Sequence, residues 1–188
     1  MSRIIFGAEP ARVVCERLGV DCWPMFKPDG TPTKTGFAKL DGDGKIVCGV
    51  AFESYTGEGG SVTIHNYCGK NHMMTRDWIL AVLDFAFNIL KVNRLYGCVK
   101  STNAAALAFN DKFGAKRCAV LEGYYGDADR VIFVNEKSAC RWLKAASAKK
   151  LEALRQRIRN DCEHMANLRK APLDAPVEAF PLEFREAA

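Results

Sequence analysis

At 188 residues, with 48% hydrophobic residues and a net charge of +5, the chain can bury a sizeable core and is too mildly basic for a dedicated nucleic-acid binder. It lacks an apolar run of membrane-spanning length and its N-terminus lacks signal-peptide anatomy, which predicts a soluble, cytoplasmic protein with no membrane partner. The eight cysteines form no C-x-x-C pair and sit mostly in apolar runs, so they read as buried thiols rather than a disulfide framework or a zinc site, and no metal is expected.

Residues 3–6 predict a short strand, and residues 9–18 a helix with Pro10 in its first turn and Gly19 at its end. Residues 22–36 carry three of the seven prolines and read as loop. The period then changes. Residues 37–40, 45–55 and 61–68 are β-rich runs separated by DGDG and GEGG turns, an antiparallel meander. The glycine-rich TGEGG joins two strands, so it is a hairpin rather than a nucleotide loop.

Residues 75–91 predict a helix capped by Thr75, with Ile79, Val82, Leu83, Ala86 and Leu90 as its apolar stripe. Then follow a strand (94–100), a helix (103–113), a strand (116–122), the turn GYYGDAD and a strand (130–134). The order implies an α+β fold, a mixed and mostly antiparallel sheet flanked by helices, with one parallel pair around the crossover helix. Residues 136–169 read as one long amphipathic helix, and its stripe allows either packing on its own domain or docking to a partner. The expected organisation is a domain over 1–137, a C-terminal helix over 138–170 and a proline-punctuated extended tail over 171–188.

One stretch carries a resemblance. A helix ending FAFNIL leads to the strand NRLYGCVKS. Asn103 opens the next helix, with Ala106 three residues on and Gly114 eleven on, before a strand, an EG pair, a turn and a final strand. Over residues 62–134 the chain resembles the GCN5-related N-acetyltransferases (GNAT), especially the branch acting on protein N-termini, and the closing ACRWLK is similar to small bacteriophage-encoded members.

The resemblance implies acetyl-CoA as co-substrate and direct attack by a primary amine in a ternary complex, with a protein as the expected acceptor. It places Tyr67, Cys68 and Gly69 at the thioester, where a backbone N–H would serve as oxyanion donor. The loop GKNHMMTR would cup the pyrophosphate, with Lys70, Asn71, Thr75 and Arg76 around it; read alone, that loop is an ordinary solvated connection. Asn103 matches the residue that holds the pantetheine arm, and it also suits a plain helix N-cap.

His65 is the best candidate general base, on one strand face with Thr63 and Tyr67, with a structural histidine as the alternative. Tyr124 and Tyr125 would line the amine entrance or cap the core, and Ser101 is a weaker polar candidate. Cys68 and Cys98 have no partner base by spacing, so their side chains read as packing residues.

The sequence departs from the family pattern twice. Met73 and Met74 stand where close phosphate approach favours glycine, and Asn110 stands where a thiolate-protonating Tyr is usual. These departures support an alternative: a weak or inactive GNAT-fold component of a phage virion or other assembly, homo-oligomeric or larger, docking through the C-terminal helix and tail. Nucleic-acid binding by the basic helix is disfavoured, because acids interrupt its face.

Overall fold

The computed structural model describes residues 3–19, 35–69 and 74–168, with side chains through 164. Strand β1 (Arg3–Gly7) leads into helix α1 (Ala8–Leu18). The meander follows as β2 (Thr35–Leu40), β3 (Ile46–Glu53) and β4 (Ser61–Cys68). Helix α2 (Arg76–Asp84), β5 (Arg94–Lys100), α3 (Ala104–Phe113), β6 (Lys116–Leu121) and β7 (Arg130–Glu136) complete the core, and α4 (Arg141–Lys144) and α5 (Ala148–Leu168) close the described chain. The sheet runs β1-β2-β3-β4-β5-β7-β6. Every neighbouring pair is antiparallel except β4–β5, which is parallel around α2. This is the mixed α+β architecture that the change of period implies.

Local chemistry sets the boundaries. Gly19 adopts a left-handed φ of 63° and its N–H closes on the Cys15 and Glu16 carbonyls, ending α1. Thr75 accepts a hydrogen bond from the Trp78 N–H and starts α2. The helix predicted over 75–91 changes pitch: Phe85–Ile89 form a π-helical turn, in which the Leu90 N–H reaches the Phe85 carbonyl five residues back. Phe85, Ala86 and Phe87 are all fully buried there. Phe85 meets Phe6, Phe37 and Phe52 at centroid distances of 5.0, 5.3 and 4.9 Å, the centre of the core between the sheet and α2. On the other face α1 lies so close that a Cβ on Gly49 would sit 2.2 Å from Val14 Cγ2.

The long helix predicted over 136–169 is broken. A 3₁₀ turn (Lys137–Ala139) and α4 precede Ser147, whose hydroxyl accepts from the Lys150 N–H and begins α5. The apolar stripe packs within the domain, because Leu154, Ile158 and Cys162 are buried in the same core as Ile4 and Phe6. Part of the expected solvated face is engaged as well. Arg155 forms a two-pronged pair with Asp84, itself only 3% exposed, at 2.7 and 2.8 Å. Lys150 and Arg157 both reach Asp77.

Among the described residues six cysteines are thiols: Cys48, Cys140 and Cys162 buried, Cys68 and Cys98 half-buried, Cys118 exposed. Cys15 is disulfide-bonded, which corrects the all-thiol reading; sequence spacing carried no sign of it. Burial pushes the Cys162 thiol from 9.0 up to about 11. A raised thiol pKa means that the unfolded chain loses this proton first, so the contribution is complete below pH 9 and disappears as pH rises from 9 towards 11. The gap corresponds to roughly 2–3 kcal/mol. Urea unfolding between pH 8 and 11 should show this alkaline loss, and Cys162→Val should flatten it; an unchanged slope in the variant would assign the loss elsewhere.

The proline loop at 20–34, Lys70 and Asn71 of the expected phosphate loop, and the tail from 169 lie outside the described residues.

Candidate functional site

The parallel ladder between β4 and β5 is short. It runs from Ser61↔Arg94 to Ile64↔Gly97 and stops, although β4 continues to Cys68 and β5 to Lys100. Each strand keeps its outer partner, β4 with β3 as far as Cys48↔Cys68 and β5 with β7 as far as Lys100↔Arg130. The sheet therefore splays at the carboxyl ends of its two central strands. Gly69 donates to the Val47 carbonyl at 2.8 Å, which fixes the alternation along β3–β4. It follows that the main-chain groups of Asn66 and Cys68 are directed towards β5, on the side of the splay.

A cleft of about 390 Å³, including its open mouth, lies against this splay on the α2–α3 face. Trp78, Ile79, Val82 and Leu83 of α2 form one wall, and Phe109, Asn110 and Phe113 of α3 form the other. Ile64 and Asn66 floor it on β4, Leu95 on β5 and Asn135 on β7. An apolar trough with a few amide groups and strand backbone at its floor suits an extended, amide-containing chain. The Asn110 amide donates to the Ala106 carbonyl at 2.9 Å, which turns its oxygen outward as an acceptor. Asn103 caps α3, accepting from the Ala106 N–H at 3.1 Å, and does not line the cleft.

His65 lies on the opposite face. Its Nε2 is 2.6 Å from Glu53 Oε1, and the two side chains are 13% and 20% exposed. The register explains the contact: His65 sits opposite Ala51, and Glu53 lies two residues farther along β3 on the same face. A carboxylate acceptor places the proton on Nε2 and leaves Nδ1 with a lone pair.

Tyr67 shares that face. Its hydroxyl accepts from Arg17 at 2.9 Å, and its ring packs with Ala11, Val14, Cys15 and Ala51, so the side chain anchors α1. Cys68 Sγ is 3.0 Å from Cys48 Sγ on the cleft side. Burial and this neighbour push the Cys48 thiol up to about 12, so Cys48 stays protonated. The Gly69 N–H is already bonded to Val47 and is not a spare oxyanion donor. Arg76 is exposed in the first turn of α2, beside the Thr75 cap.

Tyr124 and Tyr125 stand on the β6–β7 turn, 53% and 43% exposed and edge to face at 5.0 Å. They do not cap the core. Ser101 accepts from the Asp129 N–H at 2.9 Å and fixes the end of β5 to this turn. Among the described residues no group of three or more His, Cys, Asp or Glu could hold a metal ion, and no helix is long and apolar enough to cross a membrane.

Solved structures share this fold. A variant of spermidine N-acetyltransferase SpeG from Vibrio cholerae superposes with a TM-score of 0.56 and 14% identity, over 78% of this chain and 98% of its own. A protein assigned by inference as a phosphinothricin N-acetyltransferase superposes at 0.52 and 14% identity, over 72% and 98%. The fold is that of the GNAT N-acetyltransferases. No protein-family model and no curated protein matches the sequence.

Within this GNAT fold, the expected residues are spread over several places, with Thr75 and Asn103 capping helices. Asn110 lines the cleft; His65 and Tyr67 face α1 on the other side of the sheet; Tyr124 and Tyr125 flank the far end of β5. Sequence reasoning missed Glu53, Asn66, Asn135 and Arg130. Glu53 was within reach, because the hairpin over residues 54–60 brings 53 and 65 onto one strand face once its register is known.

Proposed function

We propose that the protein is an acetyl-CoA-dependent N-acetyltransferase acting on a primary amine, with a protein amine as acceptor. The observation that carries this reading is the ladder stopping at Ile64 and Gly97, with a cleft on one face of the resulting splay and the His65–Glu53 pair on the other. Acetyl-CoA supplies the acyl group as a thioester. The Asn66 backbone and the amides of Asn110 and Asn135 would bond the amides of its arm, and α2 and α3 would exclude water from it.

His65 Nδ1 accepts the proton of the attacking amine while Glu53 holds Nε2–H and stabilises the imidazolium. The amine nitrogen bonds to the acetyl carbon and the carbon–sulfur bond breaks. Asn110 cannot protonate the departing thiolate, so that proton comes from solvent or from the imidazolium.

Calorimetry with acetyl-CoA tests this reading. Micromolar binding is expected, weakened by Asn110→Leu; no heat at millimolar ligand would leave only the scaffold alternative, a binding component of a virion or other assembly. One observation weighs against docking through the C-terminal helix: the stripe of α5 is already buried against its own domain.

A further inference from the structure

The His65 side of the splay carries an arginine with no anionic partner among the described residues. Thr63 pairs with Tyr96, so two residues on, where the strands have parted, His65 stands level with Cys98 and on the same face. Cys98 pairs with Ile132, and Lys100 with Arg130, which puts Arg130 on that face one strand farther out. Arg130 Nη2 donates to Cys98 Sγ at 3.0 Å, its guanidinium lies 4.7 Å from the Tyr124 ring centroid, and its Nε is buried with no hydrogen-bond partner.

The acids of the adjoining turn do not serve it. Asp127 pairs with Lys100 at 3.0 Å and Asp129 accepts the Gly123 N–H at 3.0 Å. Glu122 is exposed and makes no ion pair among the described residues. A thiol sulfur is a weak acceptor and an aromatic face holds the guanidinium without neutralising it. What remains is a planar donor fork, oriented by Tyr124 and Cys98 and short of an anion.

We propose that Arg130, walled by Tyr124 and Tyr125, binds a carboxylate or phosphate of the acceptor, so that the substrate is an amine carrying an anionic group within about 10 Å, two strand spacings, of the nitrogen. This rests on the acetyltransferase reading above. Such a site disfavours polyamines, whose remaining ammonium groups would meet like charge. An acidic peptide N-terminus and a free acidic amino acid present the same chemistry.

The test uses the full chain with acetyl-CoA and four acceptors: a peptide beginning Ser-Glu-Glu, its Ser-Gln-Gln counterpart, free glutamate, and spermidine. Acidic acceptors should exceed the Gln peptide and spermidine by at least tenfold in kcat/KM. Arg130→Gln should reduce that preference to within twofold through KM, with Arg130→Lys intermediate and acetyl-CoA affinity unchanged in both, which also shows that the variants fold. Whether the peptide or glutamate leads identifies the source of the anion. Equal use of the Glu and Gln peptides, a preference for spermidine, or a preference that survives Arg130→Gln overturns the proposal. Calorimetric binding of the N-acetylated Glu and Gln peptides gives a readout without turnover: wild type should favour the Glu peptide tenfold and Arg130→Gln should not, and equal or absent binding to wild type counts against the site. Failure of acetyl-CoA itself to bind overturns the enzymatic reading instead, and is scored separately.

Discussion

Replacing His65 by alanine should slow acetyl transfer by about 10²–10⁴-fold, the usual contribution of a positioned general base, while leaving acetyl-CoA affinity unchanged. The second half of that expectation follows from the sheet. The cleft opens on the α2–α3 face and His65 projects from the other, so truncation removes nothing from the cleft wall. Glu53→Gln should give a smaller loss with a distinct signature. The 2.6 Å contact to Nε2 would become a neutral one, which still orients the ring but no longer stabilises the positive charge that His65 gains as the base. The maximal rate should therefore fall while acetyl-CoA affinity stays that of the wild type. Steady-state rates from pH 5 to 9 for wild type, His65→Ala and Glu53→Gln decide the matter. A wild-type rate in His65→Ala would reduce the pair to a structural contact.

Asp84→Ala should cost about 3 kcal/mol, near the lower end of what breaking a buried ion pair costs, and lower the melting temperature by roughly 6–12 °C at 2–4 °C per kcal/mol. The carboxylate is 3% exposed and carries three hydrogen bonds, two from Arg155 and one from Asn88. Removing it leaves a guanidinium facing an apolar wall. Arg155 keeps 28% of its side chain accessible, so water recovers part of the loss, which sets the value low in the range. The double variant Asp84→Leu with Arg155→Met should regain most of the stability, because an apolar pair of similar volume avoids the desolvation penalty. Thermal melts of the single and double variants test this; a double variant no better than the single would mean that the ion pair itself is favourable.

The strands were readable because their chemistry is local. Thr75, Gly19 and the DGDG and GEGG turns mark ends whose hydrogen bonding is decided by the adjacent few residues, and the structure places boundaries within a few residues of each. Asn103 and Gly114 bracket α3 for the same reason. What the sequence did not show is decided across strands. The Glu53–His65 contact depends on the β3–β4 register, and the Arg130–Cys98 contact on how β7 inserts between β5 and β6. The long C-terminal helix was misread because continuous amphipathic periodicity conceals a break, and Ser147 is a cap only once the chain turns there. Arg155 looked solvated because nothing nearby in sequence reveals that Asp84, seventy-one residues earlier, is its partner.

The return of α5 to β1 has a consequence for the order of assembly. The Ile4 N–H donates to Asp161 at 2.9 Å, and Leu154, Ile158 and Cys162 complete the apolar layer that holds Ile4 and Phe6. The first described strand is thus covered by the last described helix. Until α5 has been made, β1 has its β2 ladder and the Phe85 ring against Phe6, but it lacks the apolar layer of Leu154, Ile158 and Cys162 and the contact of its Ile4 N–H with Asp161. Docking of α5, rather than formation of the meander, then completes the layer over β1.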